Sequence, residues 1–426
     1  MFREILNTLW TKIGSAIIAL CILILTTQYL GADGRGLISL ISSSIGIIGI
    51  FAGFIGGPAA IYLAAKNKTQ YLLIPIYGWT VIVTIVGSGV LLFVNIIPVA
   101  YILPIAILSL ISSIYISNFY ILVGHQKVRV NNFIYFFQWI INLVTLVLFF
   151  VVIRQPTVGF AVIALFISGI CGLALTLVEV KKITIPVPID WSDQVTVLKS
   201  LVSFSFFAQA AAVMYYLNYR LGIFVLTTSA GLSAVGIYSV GVNLAEFILL
   251  GSQSIALVEY SRISNTNDRH YAKNITIKLA KVGFILTLSL TMLLVSLPSA
   301  VYGIVFGKDF SSVSNVLFAM SPGIIAFGTS IIIFNYFAGI GKNQVNAIAA
   351  FAGLSSNILF CYLLIPFYGS VGAGITASIS FILMSGILVG AFLKETNTGI
   401  KEFVIRKKDF EYIYVKFREM IIPPEK

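Results

Sequence analysis

Two ionisable residues stand inside long apolar runs of this sequence, and chemistry is sought there first. Arg220 lies in the run 200–226 and Glu246 in the run 229–257. A charge facing lipid costs at least about 2.5 kcal/mol, so each side chain is expected to face a wet cavity or a partner. An arginine there offers a planar fork of donors suited to a phosphate. A carboxylate there can carry a proton or a cation. Two plainer readings stand beside these: Arg220 snorkels to the outer surface, and Glu246 pairs with Lys12 or Lys199 near the inner one. Counted from the run ends, Arg220 is about 10 Å deep and Glu246 about 25 Å. That difference of about 15 Å predicts that straight helices keep the two from forming a direct salt bridge.

Other chemistry is sparse. His125 and His270 fall between apolar runs, with no cysteine or carboxylate at ligand spacing, so no metal site is expected. Cys21, Cys171 and Cys361 each sit within an apolar run and read as small packing residues rather than a disulfide framework. No GxxxxGK[ST] phosphate loop occurs. A membrane glycosyltransferase or polymerase needs acids on a substantial outer loop. The longest outer loops expected here, 31–36 and 307–312, carry only Asp33 and Asp309, each with a basic neighbour. The chain therefore reads as a non-enzyme with no cofactor. Lys12 is expected to anchor the first run at the inner interface, and Asp33 and Arg35 to shape a sharp outer turn. Gly49, Gly53 and Gly57 recur every four residues, which allows close helix approach. Pro58, Pro75 and Pro322 are candidate kinks.

The elements that must position these residues are set by composition. Of 426 residues, 59% are hydrophobic and only 10% charged, which excludes a soluble enzyme and a disordered chain alike. Twelve runs reach the roughly 20 residues that span a bilayer. They are 9–30, 37–65, 71–94, 100–123, 133–153, 158–178, 200–226, 229–257, 282–306, 313–340, 345–365 and 369–393. The runs are continuous rather than alternating, which rules out a β-barrel. The first has no cleavage-site pattern and reads as a span rather than a leader. With the N-terminus in the cytosol, 23 Lys and Arg lie inside, three outside and one, Arg220, within a span. The net charge of +12 is thus a topology signal and not a nucleic-acid footprint.

The chain divides into 1–178, a linker 179–199 with Pro186 and Pro188, 200–393, and a basic tail 394–426. The linker and the basic stretch 258–281 are expected as cytosolic connections. The tail spaces Phe403, Phe410, Tyr414 and Phe417 helically among basic residues, which predicts an amphipathic helix on the inner leaflet. The halves echo each other. Gly36-Leu37-Ile38-Ser39 matches Gly236-Ile237-Tyr238-Ser239, Asn118-Phe119-Tyr120 matches Asn335-Tyr336-Phe337, and Val158-Gly159 matches Val371-Gly372, at offsets of 200, 217 and 213. Six spans separate the matches, which is the parallel repeat of a two-lobed transporter.

Further marks are Leu30-Gly31-Ala32-Asp33-Gly34-Arg35-Gly36, Asn218-Tyr219-Arg220, Leu244-Ala245-Glu246, Phe306-Gly307-Lys308-Asp309-Phe310, Gly339-Ile340-Gly341-Lys342-Asn343 and Ile365-Pro366-Phe367-Tyr368-Gly369. In this order and spacing the chain resembles the polysaccharide transporters of the multidrug/oligosaccharidyl-lipid/polysaccharide exporter superfamily, among them the O-antigen-type flippases. The resemblance implies an all-α, twelve-helix membrane protein in two six-helix lobes. It also implies alternating access that carries a lipid-linked oligosaccharide from the cytosolic to the outer leaflet of the cell membrane, both termini being cytosolic. The substrate path would hold Arg220 and Glu246, with Lys12, Asn218, Tyr219 and Asn243. The partners implied are the lipid-linked oligosaccharide, the bilayer and a coupling ion, proton or sodium, with no nucleic acid. Relatives often place an acid two residues after this arginine, where Gly222 stands here. The cavity is then more cationic than usual, or Arg220 pairs elsewhere. The main rival is a drug/ion antiporter of the same superfamily, which needs an intramembrane acid, often in the first helix. The run 9–30 has none.

Overall fold

The computed structural model describes residues 2–64, 69–185, 191–266 and 268–404. The helices in chain order are α1 (Phe2–Gly56), α2 (Pro58–Ala64), α3 (Thr69–Val94), α4 (Ile102–Gly124), α5 (Val128–Val147) and α6 (Val158–Ile183). There follow α7 (Trp191–Ser229), α8 (Gly231–Ser264), α9 (Arg269–Val295), α10 (Ser299–Phe306), α11 (Val313–Gly339) and α12 (Asn343–Thr396). No strand forms among the described residues. Nine stretches there are long and apolar enough to cross a membrane. Two of these are 54 residues long: Thr11–Ala64 leaves the helical conformation at Gly31 within α1 and again between α1 and α2, and Asn343–Thr396 at Gly369 within α12. Each is long enough to cross twice. The protein is a polytopic all-α membrane protein.

Several boundaries differ from the sequence expectation, some because a helix outlasts its apolar run and some because a helix breaks within it. The turn at 31–36 is no loop: only Gly31 leaves the helical region, at φ 65° and ψ −173°, and Ala32 to Gly36 are helical again. That backbone region is open essentially to glycine alone. The stretch 258–281 is helical except for the link between α8 and α9, since a helix keeps its own hydrogen bonds beyond the hydrocarbon. The span expected at 282–306 is instead α9, ending at Val295, followed by the short α10. Helix likewise covers 179–183 and 191–199 of the linker. Pro58 starts α2 after a break, whereas Pro75 and Pro322 lie inside α3 and α11. Most of the tail, 405–426, lies outside the described residues, and so does the amphipathic helix expected there.

The halves repeat in backbone detail. Of the nine described residues with positive φ, eight pair across the halves: Gly31 with Gly231, Asn95 with Gly307, Gln126 with Gly341, and Arg154 with Gly369. These pairs are 200, 212, 215 and 215 residues apart. The same tie follows the α4 and α11 turns: Asn131 Nδ2 donates to Phe119 O at 2.8 Å, and Asn346 Nδ2 to Phe334 O at 2.9 Å. The offset there is 215, so the sequence match of Asn118 with Asn335 is out of register by two.

The halves meet chiefly where α1 packs on α7 and α8. At the face bearing Gly31 this contact is reciprocal. A Cβ at Gly36 would overlap the Leu232 carbonyl, and a Cβ at Gly236 would overlap the Ala32 carbonyl. Residues 32 and 36 thus meet 232 and 236 as the two sides of an isologous interface do. Farther down, Gly46 lies against the Tyr216 hydroxyl, and Gln209 Nε2 donates to Ile50 O at 2.6 Å. Gly53 and Gly57 face Gln209, whereas Gly49 meets only Ser113 of α4.

Candidate functional site

Arg220 sits nine residues before the end of α7, and Glu246 fifteen residues after the start of α8. Their backbones are then only about 9 Å apart in depth. Side chains on a helix lean toward its N-terminus. Because α7 and α8 run in opposite directions, Arg220 leans away from the Gly31 face and Glu246 toward it. The two close the remaining gap: Arg220 Nη2 donates to Glu246 Oε1 at 2.8 Å. This corrects the expectation that depth keeps them apart. α7 outlasts its apolar run by three residues, and the opposed lean shortens the gap further. It also removes the pairing of Glu246 with Lys12 or Lys199.

Arg220 lines a cavity of about 230 Å³ between the two halves. Its walls include Thr26, Arg35, Ser39, Ser42, Ser43, Trp139, Asn142, Tyr216 and Asn243. Arg35 is the residue the sequence reading misplaced. It stands four residues below Gly31 on a continuous helix and is buried, not part of an exposed turn. Its Nη1 donates to Thr26 Oγ1 at 3.3 Å, while its Nε has no partner. Among the described residues it forms no salt bridge, so two guanidiniums line the cavity, and the carboxylate paired with one of them, Glu246, is not among its walls. Tyr216 fixes the α7 wall, its hydroxyl donating to Ser43 O at 3.2 Å.

Of the other expected residues, only Asn243 reaches this cavity, with Nδ2 donating to Ser239 O at 2.5 Å. Asn218 is buried on the opposite side of α7. There its Oδ1 accepts from Asn357 Nδ2 at 2.7 Å and Ser380 Oγ at 2.6 Å, tying α7 to α12. Tyr219 packs among Tyr215, Phe327 and Phe381. Lys12 lines a separate cavity of about 210 Å³ between α1 and α8, beside Phe247 and Ser254. Gly222, where an acid was looked for, has its space closed by Tyr238: a Cβ there would meet the Tyr238 hydroxyl at 3.1 Å. Arg220 pairs elsewhere. The missed residues carried a readable signal, since Ser39, Ser42 and Ser43, and Gln138 with Asn142, fall on one helical face each within apolar runs. A buried acid, Glu259, lies at the far end of α8, accepting from Thr276 Oγ1 at 2.5 Å. Among the described residues no group of histidine, cysteine and carboxylates could hold a metal, and the three cysteines are unpaired.

No family model matches the chain. An uncharacterized membrane protein of Methanocaldococcus jannaschii is 27% identical over 163 residues, which is 37% of this chain and 32% of that protein. The capsular polysaccharide biosynthesis protein CapF of Staphylococcus aureus is 21% identical over 248 residues, 57% of this chain and 62% of that one. The aligned part thus spans under two thirds of either relative. Among solved structures, the lipid II flippase MurJ in an inward closed conformation superposes with a TM-score of 0.73 at 16% identity, covering 98% of this chain and 93% of that one. An inward-facing multidrug resistance MATE family transporter of the MOP superfamily gives 0.67 at 14%, covering 90% and 94%. At these identities the likeness is one of fold: the chain is built on the polytopic all-α architecture found in MATE transporters and MurJ.

Proposed function

We propose that this protein is a membrane flippase that moves a lipid-linked oligosaccharide, joined to its lipid by pyrophosphate, from the cytosolic to the outer leaflet by alternating access. The observation that carries the reading is the charge imbalance in the cavity between the halves. Two arginines line it, only Arg220 is paired with a carboxylate, and Arg35 keeps an Nε–H without a partner. A guanidinium so placed calls for an anion, and a phosphate accepts from two forks at once. Arg220, Arg35 and Asn243 hold the phosphate moiety, while Glu246 steadies Arg220 when no substrate is bound. The sugar-handling relative CapF and the lipid II flippase MurJ support a lipid-linked glycan over a drug. The 1–178 and 200–393 lobes rock about the α1 contact with α7 and α8, with both termini cytosolic, a placement that the distribution of Lys and Arg supports.

A deletion strain tests the reading. Lipid-linked oligosaccharide accumulates on the cytosolic face, and Arg220→Ala fails to restore export. Normal surface glycan after deletion would sink the flippase, and full rescue by Arg220→Ala would sink the role of the arginine. Greater drug sensitivity with unchanged glycan would instead favour an antiporter.

A further inference from the structure

Beside the arginine cavity lies a second chamber of about 250 Å³, wholly within the first half. It is enclosed by the post-Gly31 segment of α1 together with α4, α5 and α6, and it shares Ser42, Trp139, Asn142 and Leu165 with the arginine cavity. The two spaces therefore adjoin. Their chemistry differs sharply. No Asp, Glu, Lys or Arg lines the second chamber. Its polar groups are neutral: the amides of Gln138 and Asn142, the hydroxyls of Ser112 and Ser168, and the rings of Tyr135 and Trp139. Those rings stand edge to face with centroids 6.3 Å apart.

We propose that this chamber seats the sugar residue attached to the phosphate of the transported lipid, and that this residue is uncharged. The proposal rests on the flippase reading above, since the phosphate in the arginine cavity sets where the sugar begins. A pyranose presents an apolar C–H face and a rim of hydroxyls. Aromatic rings cover the first, and amides, which both donate and accept, satisfy the second. A uronic or other acidic sugar would bring a carboxylate into a space with no cation, at the cost of desolvating it. An N-acetylhexosamine or neutral hexose brings no such cost. The volume suits a sugar ring or two rather than a chain, so later residues must extend elsewhere.

The test is calorimetric titration of the purified full-length protein with three synthetic probes: farnesyl diphosphate, farnesyl-diphospho-N-acetylglucosamine and farnesyl-diphospho-glucuronic acid. The acetylglucosamine probe is expected to bind about tenfold more tightly than farnesyl diphosphate, and the glucuronate no more tightly. Gln138→Leu and Tyr135→Leu, which touch the chamber and not the arginine cavity, should bring the acetylglucosamine-to-parent ratio to about one. Tyr135→Phe should keep most of it. Because a ratio is read only on protein that still binds farnesyl diphosphate, loss of fold is separated from loss of the sugar contact. A ratio near one in the wild type, or a full ratio in both leucine variants, overturns the sugar seat. Glucuronate binding as tight as that of acetylglucosamine overturns the uncharged residue. If the ratio holds but Arg220→Ala leaves all three affinities unchanged, the phosphate assignment fails while the chamber stands. If no probe binds, both fall.

Discussion

Replacing Glu246 with Gln separates the two tasks assigned to the arginine pair. In the empty protein the carboxylate accepts a charge-assisted bond from Arg220 at 2.8 Å. Such a bond contributes about 1.5–3 kcal/mol, and the Gln carbonyl can still accept from the cationic guanidinium, so Glu246→Gln should cost about 1 kcal/mol of stability. An anion on the other flank of the guanidinium sits about 6 Å from the carboxylate. At an effective dielectric of 20, unit charges at that distance repel by about 2.8 kcal/mol. The Glu246 side chain is 37% exposed and the Arg220 side chain 22%, so solvent screens much of this. About 1 kcal/mol is a sober value, equivalent to about a fivefold change in affinity. The variant should therefore unfold at a lower temperature than wild type when empty, yet bind farnesyl diphosphate about fivefold more tightly. Ligand that binds only the folded state should then narrow the gap between the two melting curves. Unchanged or weaker binding by Glu246→Gln would refute the idea that Glu246 competes with the substrate for Arg220.

Arg35→Gln should weaken farnesyl diphosphate binding by about 1.5–3 kcal/mol, the range for one charge-assisted bond, while the empty protein melts no lower. Titration and melting curves on the same sample read both. Gly236→Leu forces carbon into the Ala32 carbonyl and should part α1 from α8 at the Gly31 face. A cysteine placed at position 32 should then label faster with a membrane-impermeant maleimide applied from that face, and unchanged labelling would count against the contact. His125 lies between α4 and α5, with a ring nitrogen 2.9 Å from Thr69 Oγ1; burial, then the Lys127 charge, lower its pKa. A base held below its ordinary value of about 6.5 adds stability that is present above that pH and lost as pH falls through the folded value. Melting temperature should drop on acidification below about pH 6.5 in wild type, and the drop should shrink in His125→Gln.

Much of this fold was legible in the residues, and the reason is the bilayer. Water is absent, so each apolar run must become a helix, and lysines and arginines sort by side. Arg220 and Glu246 could be picked out because an ionisable group inside such a run is expensive. Their pairing was not legible. It depends on three residues of helix beyond Leu226 and on the lean of side chains on antiparallel helices, neither of which hydropathy records. Arg35 escaped for the opposite reason. Gly31, Gly34 and Gly36 look like a loop, yet only Gly31 breaks the helix, and the charge that seemed exposed turns inward. Asn218 and Tyr219 sat next to the right arginine in sequence, but neighbours on a helix point to different faces, and theirs faces α11 and α12.

The repeat itself explains where the site had to be. At an offset of 200 the backbones of α1 and of α7 with α8 agree, down to the reciprocal contact of Gly36 with Leu232 and of Gly236 with Ala32. The side chains beneath that contact do not. Arg35 corresponds to Val235, a fully buried core residue, while Arg220 corresponds to Leu20 and Glu246 to Gly46. Ser239 spends its hydroxyl on Gly236 O at 2.8 Å, but Ser39 leaves its own without a partner at the cavity wall. On the proposed mechanism, matched positions would carry the contact about which the lobes rock, and mismatched positions the charge that favours a polar head over the lipid around it. A pair of substitutions separates the roles. Gly236→Leu should alter access from the Gly31 face with little change in farnesyl diphosphate affinity, and Arg35→Gln should do the reverse. Equal effects of both variants on both readouts would mean that the contact and the site are one structure, and the division drawn from the broken repeat would be wrong.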